Sequence, residues 1–157
     1  MAVSIDNYLT STSYSLSFKS PDGHDIACDV QAFTHPTVTV TSATQSTPRR
    51  LIPIPGDKLE FDPLNVSMLL DENFTVYKEI VNWINSHVLE DDTDNFKDKM
   101  VDVKLHVRNN QGNSTTTITY HNAFPVNIGS LDFNSADEID SFFRFDVIFM
   151  YSHFTIS

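Results

Sequence analysis

The sequence predicts a mainly β domain with one α-helix, its strands forming two packed antiparallel sheets in a sandwich or partly open barrel. Three observations carry this expectation. Apolar and polar residues alternate in several runs between Tyr14 and Ile156, the period-two signature of strands with one buried face. A single stretch, Phe74–Val88, changes to helical spacing. The composition is rich in Phe (12) and poor in Gly (4), and Thr is abundant, which suits pleated, half-buried surfaces. At 157 residues and 40% apolar content, residues 1–157 form one domain around one core.

Residues 1–12 are polar, with scattered Val3, Ile5, Tyr8 and Leu9, and read as a flexible N-terminal arm. Tyr14, Leu16 and Phe18 alternate with serines. Pro21-Asp22-Gly23 is a turn, because Pro presets φ and Gly accepts a positive one. Ile26, Cys28, Val30 and Ala32 alternate again, so the two runs form a hairpin. Thr37–Thr41 is β-branched and reads as a further strand. Ser42–Pro48 is polar and turn-rich. Leu51, Ile52 and Ile54 lie between Pro48, Pro53 and Pro55, which excludes a central strand and predicts an exposed loop or edge hairpin. Its apolar residues need cover from a partner.

Leu64, Val66, Met68 and Leu70 alternate, and the helix follows. Asp71 or Asn73 caps it, and Glu72 suits its positive end. Phe74, Tyr77, Val81, Ile84 and Val88 mark a core face, which Val76, Ile80 and Trp83 widen. Leu89–Asp94 is an acidic loop. Val101–Val107 and Thr115–Tyr120 form a second hairpin around Asn109–Ser114. Phe142–Ile156 is the last strand. Phe143, Phe145, Val147, Phe149 and Tyr151 make one face, and Phe142, Ile148 and Met150 stand on the other beside Arg144 and Asp146. A strand apolar on both faces is covered on both. In so small a domain a subunit interface supplies the second cover, built from Phe142, Phe143, Phe145, Ile148, Met150 and the helix residue Trp83.

The formal charge of −11 and pI near 4.6 argue against a nucleic-acid backbone binder, which needs a basic stripe. They are compatible with a surface that DNA passes without sticking. The single cysteine, Cys28, reads as a buried reduced thiol. No secretory signal stands in Met1–Thr12 and no run reaches membrane-span length, so Asn65, Asn73 and Asn113 read as chance glycosylation matches.

No catalytic or metal site is expected, and no cofactor. His24, His35, His87, His106, His121 and His153 lack ligand spacing. Asp91, Asp92 and Asp94, and Asp137, Glu138 and Asp140, crowd two loops without a calcium-loop pattern. No nucleophile elbow or phosphate loop occurs.

Two stretches carry a family resemblance. Gly56-Asp57, Asp71-Glu72 and Trp83 punctuate a turn, a strand and a helix. Pro125, Ile128-Gly129, Asp132-Phe133, Glu138-Ile139 and Phe143–Tyr151 follow near the C-terminus. In this order they resemble the tail tube proteins of contractile-tailed bacteriophages, over roughly Tyr14 to Ile156. The proline-rich Ser42–Pro55 departs from that pattern.

The resemblance implies a structural virion protein rather than an enzyme. It implies two packed sheets with a helix at the edge. Six copies would close into a ring, and rings would stack into a tube whose channel conducts DNA during ejection. Baseplate proteins, tail-end proteins and a sheath would be partners. Assembly would occur in the host bacterial cytoplasm, with no membrane involved and no specific DNA binding. The axial stacking loop would be Thr44–Asp57, with Arg49, Arg50, Leu51, Ile52, Ile54 and Asp57. Asp25 and Asp29 alternate with apolar residues and become candidates for the channel lining. Two alternatives stand beside this reading: a tube-like ring at a tail end, either baseplate initiator or terminator, and a small β-domain enzyme or carbohydrate binder.

Overall fold

The computed structural model describes residues 13–89, 97–134 and 142–157. The expected N-terminal arm and both crowded acidic loops lie outside them. Among the described residues, nine strands and one long helix follow in chain order: β1 Ser13–Lys19, β2 Asp25–Thr34, β3 Val38–Ser46, β4 Leu51–Phe61, β5 Leu64–Leu69, α1 Thr75–Leu89, β6 Val101–Arg108, β7 Ser114–Ile128, β8 Arg144–Met150 and β9 His153–Ile156.

The main sheet runs β6-β1-β2-β5-β8-β7 and closes through β6–β7 pairing. The result is a six-stranded antiparallel barrel, not the two packed sheets or partly open barrel expected. Closure depends on the length of β7. Its first part pairs with β6, Val103 standing opposite Tyr120. Its last part pairs with β8, Phe124 opposite Met150. The sequence reading ended this strand at Tyr120, short of Asn122 and Pro125. Asn122 takes a positive φ of 53°, which Asn tolerates. Pro125 sits beside a register shift, where a missing N–H is accommodated. The expected last strand is in fact two. β9 continues along β7 from His121↔His153 to Ile118↔Ile156, after a break at Tyr151 and Ser152 where Ser152 N–H donates to His121 O.

Alternation places the core as expected. Leu16 and Phe18 of β1, Ile26 and Val30 of β2, and Leu64, Val66 and Met68 of β5 fill the barrel. Phe145, Val147 and Phe149 of β8 join them. The β1–β2 turn is the predicted one, with Gly23 at φ 91°. Asp71, rather than Asn73, caps α1: its carboxylate accepts the Thr75 N–H at 2.9 Å.

The buried stripe of α1 differs from the expected core face. Ile80 and Trp83 are buried while Val88 is 78% exposed. Trp83 stacks on Phe18 at 5.5 Å, lies 6.1 Å from Phe149, and donates Nε1–H to Lys99 O at 2.7 Å. A helix apolar on two adjacent stripes can roll either way. The large indole decides it, because it has the most apolar surface to bury.

Candidate assembly surfaces

β3 and β4 form a separate two-stranded ribbon, paired from Val38↔Phe61 to Ser46↔Leu51. It contributes nothing to the core cluster. At about 3.3 Å per residue, eleven residues of β4 carry it roughly 30 Å. This is the edge hairpin foreseen for the proline-rich segment, though longer and more regular. Pro53 and Pro55 stand opposite Thr44 and Ser42. A two-stranded ribbon tolerates them because their nitrogens can face its outer edge.

The root of the ribbon is an aromatic clamp. The hydroxyl of buried Tyr120 and His35 Nδ1 share a hydrogen bond at 3.0 Å. Burial pulls the His35 imidazole below its ordinary value, which favours its neutral form. Phe154 lies edge-on to His35 at 4.8 Å and to Phe61 at 5.7 Å. Tyr151 donates to Asp62 O at 2.9 Å. Both legs of the ribbon are therefore tied to β7 and β9.

Halfway along, the register shifts between Val40 and Ser42. Gly56 lies flush against Thr41 here. A Cβ at position 56 would stand 2.4 Å from the Thr41 carbonyl oxygen, so only glycine fits. At the far end, Thr47 Oγ1 accepts the Arg50 N–H at 3.2 Å and closes the turn. Leu51 is 68% exposed, Ile54, Arg49, Arg50 and Asp57 are exposed, and Ile52 is half-buried. The structure thus gathers these six residues on one projecting element.

The expected subunit interface divides. Phe145 and Trp83 are each 2% exposed and belong to the core of the single chain, Trp83 against the barrel rings Phe18 and Phe149 and Phe145 against Tyr77 of α1. Phe142, Phe143 and Met150 are exposed and Ile148 is half-buried. They remain surface residues, on β8 and just before it.

Sequence reasoning missed an aromatic patch beside them. Phe133 is 64% exposed, 5.5 Å from Phe143 and 6.3 Å from Phe74. Phe74 packs edge-on to Tyr77, and Tyr77 on Phe145. Phe74 has φ 56°, a left-handed conformation rare for bulky residues. The five rings come from three separate stretches, so no single spacing could reveal the patch.

Asp25 and Asp29 are exposed on the outer face of β2. They border a shallow groove of about 450 Å³ that Leu70 and Val76 also line. Cys28, between them, is half-buried with its thiol 3.8 Å from Met68 Sδ. Burial, aided by Asp29, pushes that thiol up to about 12.

Chemically these surfaces are quiet. Ser17 Oγ lies 3.0 Å from His106 Nε2, and Thr117 Oγ1 lies 3.1 Å from Nδ1. The third group is a neutral hydroxyl, not the carboxylate that would stabilise an imidazolium. The pairing reads as a cross-strand polar contact on β1, β6 and β7. Among the described residues no three His, Cys, Asp or Glu side chains converge as a metal-holding group. None of their helices is long and apolar enough to cross a membrane.

A protein-family model described as "Phage tail tube protein" matches residues 5–157. No curated protein sequence matches the chain. Among solved structures, the cryo-EM structure of the anti-feeding prophage baseplate is similar with a TM-score of 0.74 at 11% identity, covering 98% of this chain and 97% of that one. A structure of an extracellular contractile injection system, described as "PVC sheath/tube terminator in extended state", is similar with a TM-score of 0.68 at 14% identity, covering 98% and 99%. Hcp1 from E. coli EAEC 042, a mutant form, is similar with a TM-score of 0.61 at 11% identity, covering 94% and 92%.

Proposed function

Since this chain belongs to the phage tail tube protein family, we propose that it is the repeating subunit of a tail tube within a contractile particle. Six copies close head-to-tail into a ring, and rings stack through the β3–β4 ribbon. The observation that carries this reading is the ribbon itself. It is anchored at its root, kept outside the core and tipped with exposed Leu51 and Ile54. Such a projection costs solubility in an isolated subunit and is useful only where another copy covers it. A ring requires unlike surfaces on each copy. The exposed Phe142 and Met150, just before β8 and at its end, supply one apart from the ribbon tip. The role is structural, with no reaction catalysed. The particle would assemble in the bacterial cytoplasm, with baseplate, tail-end and sheath proteins as neighbours.

The direct test is Leu51→Asp with Ile54→Asp. Subunits should stay folded and still form rings, but tubes should not elongate in negative-stain images. Wild-type tube length in this variant would remove the ribbon from stacking.

The channel would conduct DNA without binding it. A chain of net charge −11 repels phosphates wherever its acids face the lumen. Asp25 and Asp29 are candidates because their face of β2 is open in one subunit. With both changed to Lys, tubes should retain DNA in a salt-dependent manner. Normal DNA delivery by particles carrying that change would take the two residues off the channel wall.

A second reading has its own support. Structures similar to this chain include a baseplate and a tube terminator assembly. A ring at a tail end would add once and stop, whereas a tube subunit polymerises, so the length of assemblies separates the two.

A further inference from the structure

We propose that the ribbon tip of one copy seats on the aromatic patch of the copy in the next ring, on Phe74, Phe133 and Phe143. This rests on the reading that the ribbon is the axial contact, and it names the surface that receives it.

Charge and shape both point there. From Val30 to Gly56 the chain has no carboxylate, and Arg49 and Arg50 stand together at the ribbon turn. The tip is thus a cationic, apolar point on a strongly acidic molecule. The patch has the complementary character. Phe133 and Phe143 are exposed and Phe74 is half-buried, and exposed Asp71, Glu72 and Asp132 stand beside them in sequence. Of the cations beside it in sequence, Arg144 reaches across to Gln31 at 3.4 Å, and Lys78 stands one helical turn on from Phe74. Arginine over carboxylates beside aromatic side chains is a recurring anchor of protein interfaces, and Leu51 adds apolar area against the exposed phenyl rings.

The backbone adds an independent sign. Phe74 is held in a left-handed conformation that Gly or Asn would adopt more readily. That conformation keeps its ring against Phe133. Strain at a half-buried aromatic that packs against an exposed one marks a surface selected for something other than the stability of the subunit.

The scale fits a repeated contact. A phenylalanine presents roughly 200 Å², so Phe133 at 64% and Phe143 at 40% exposure leave about 200 Å² of ring open. That is far below the roughly 800 Å² per partner of a stable pair. Isolated subunits would stay apart, and only the repetition around a ring would make the contact hold.

A charge exchange tests it. One variant carries Arg49→Glu and Arg50→Glu. The other carries Glu72→Arg and Asp132→Arg, leaving the Asp71 helix cap intact. Each alone should form rings without stacking. Mixed, they should restore tubes of alternating rings, since each altered tip then meets an opposite charge. Phe133→Asp should block stacking with an unchanged melting temperature. If the ribbon variant alone makes tubes of wild-type length, the ribbon reading itself fails. If it is blocked but the patch variants stack normally, or the mixture fails to recover tubes, the ribbon stands and the patch is not its seat.

Discussion

Gly56→Ala should abolish tube growth while leaving the barrel intact. The added Cβ would lie 2.4 Å from the Thr41 carbonyl oxygen. Real contacts of this kind begin near 3.0 Å, so the two strands must part by at least about 0.6 Å, and more for comfort. Across a strand spacing of about 4.8 Å, a shift of 0.6–1 Å tilts the distal ribbon by roughly 10°. Leu51 is five residues further on, about 17 Å away. The tip therefore moves by roughly 3 Å, enough to take it off any fitted seat. Overpacking costs about 1–3 kcal/mol, but the ribbon can relieve it by opening locally, since it supplies no core residue. The midpoint of thermal unfolding by circular dichroism should fall by less than about 4 °C, while negative staining shows single rings. Wild-type tube length would refute the argument that this close approach aims the ribbon. A fall beyond about 10 °C would refute its independence from the core.

Trp83→Ala should act in the opposite way. It removes a core indole and its hydrogen bond to Lys99 O, at a cost of about 3–5 kcal/mol, so unfolding should shift by roughly 10 °C or more; a change in assembly with unaltered stability would return Trp83 to the subunit interface. Cys28, with its thiol pushed up to about 12 by burial and Asp29, should react with iodoacetamide at pH 8 on the order of a hundredfold more slowly in the native state than in denaturant; equal rates would show the thiol is open. Burial raises the Tyr120 and Tyr151 hydroxyls, helped by Tyr151 and Asp62 respectively. The folded state keeps those protons longer than the unfolded one, so this stability is complete below the unfolded tyrosine value of about 10 and is lost as pH rises above it. Tyr120→Phe should flatten that alkaline loss in urea titrations, and an unchanged slope would exclude Tyr120 as its source.

Local alternation made much of the fold legible. The pairs Tyr14↔Val30, Leu16↔Cys28 and Phe18↔Ile26 follow from two runs with one apolar face and a Pro-Asp-Gly turn. β5 and β6 were equally plain. Closure was hidden because it depends on β7 changing partners partway along, at residues that look like breakers. The roll of α1 was hidden because two stripes were apolar, and only the cavity left by Phe18 and Phe149 selects Trp83. The ribbon was half visible. Prolines announced an edge, but its regular pairing depends on Gly56 meeting Thr41, fifteen residues apart. The aromatic patch was out of reach, since Phe74, Phe133 and Phe143 are neighbours only after folding.

Closure also limits how copies can join their sheets. An open sandwich offers edges everywhere. Here nearly every barrel strand has two neighbours. Among the described residues, unpaired strand edges include those at 25–29 and 32–34 of β2, at Phe124–Ile128 of β7, along β9 and on both sides of the ribbon. The two ribbon edges are not equivalent. Pro53 and Pro55 cannot donate, so the outer edge of β4 is a poor template. Their partners Thr44 and Ser42 must then form non-hydrogen-bonded pairs, with their own N–H groups turned to the outer edge of β3. That edge carries no proline from Val38 to Ser46 and is the one a neighbouring strand could use. Thr44→Pro removes an outward donor without breaking a ribbon bond, and Ala43 before it is already extended. If strand joining along β3 contributes to the proposed assembly, this variant should keep a folded subunit yet form fewer rings or shorter tubes at equal concentration, measured by sedimentation and negative staining. Assembly equal to wild type would show that the β3 edge recruits no strand, leaving side-chain contacts at the tip as the ribbon's whole contribution.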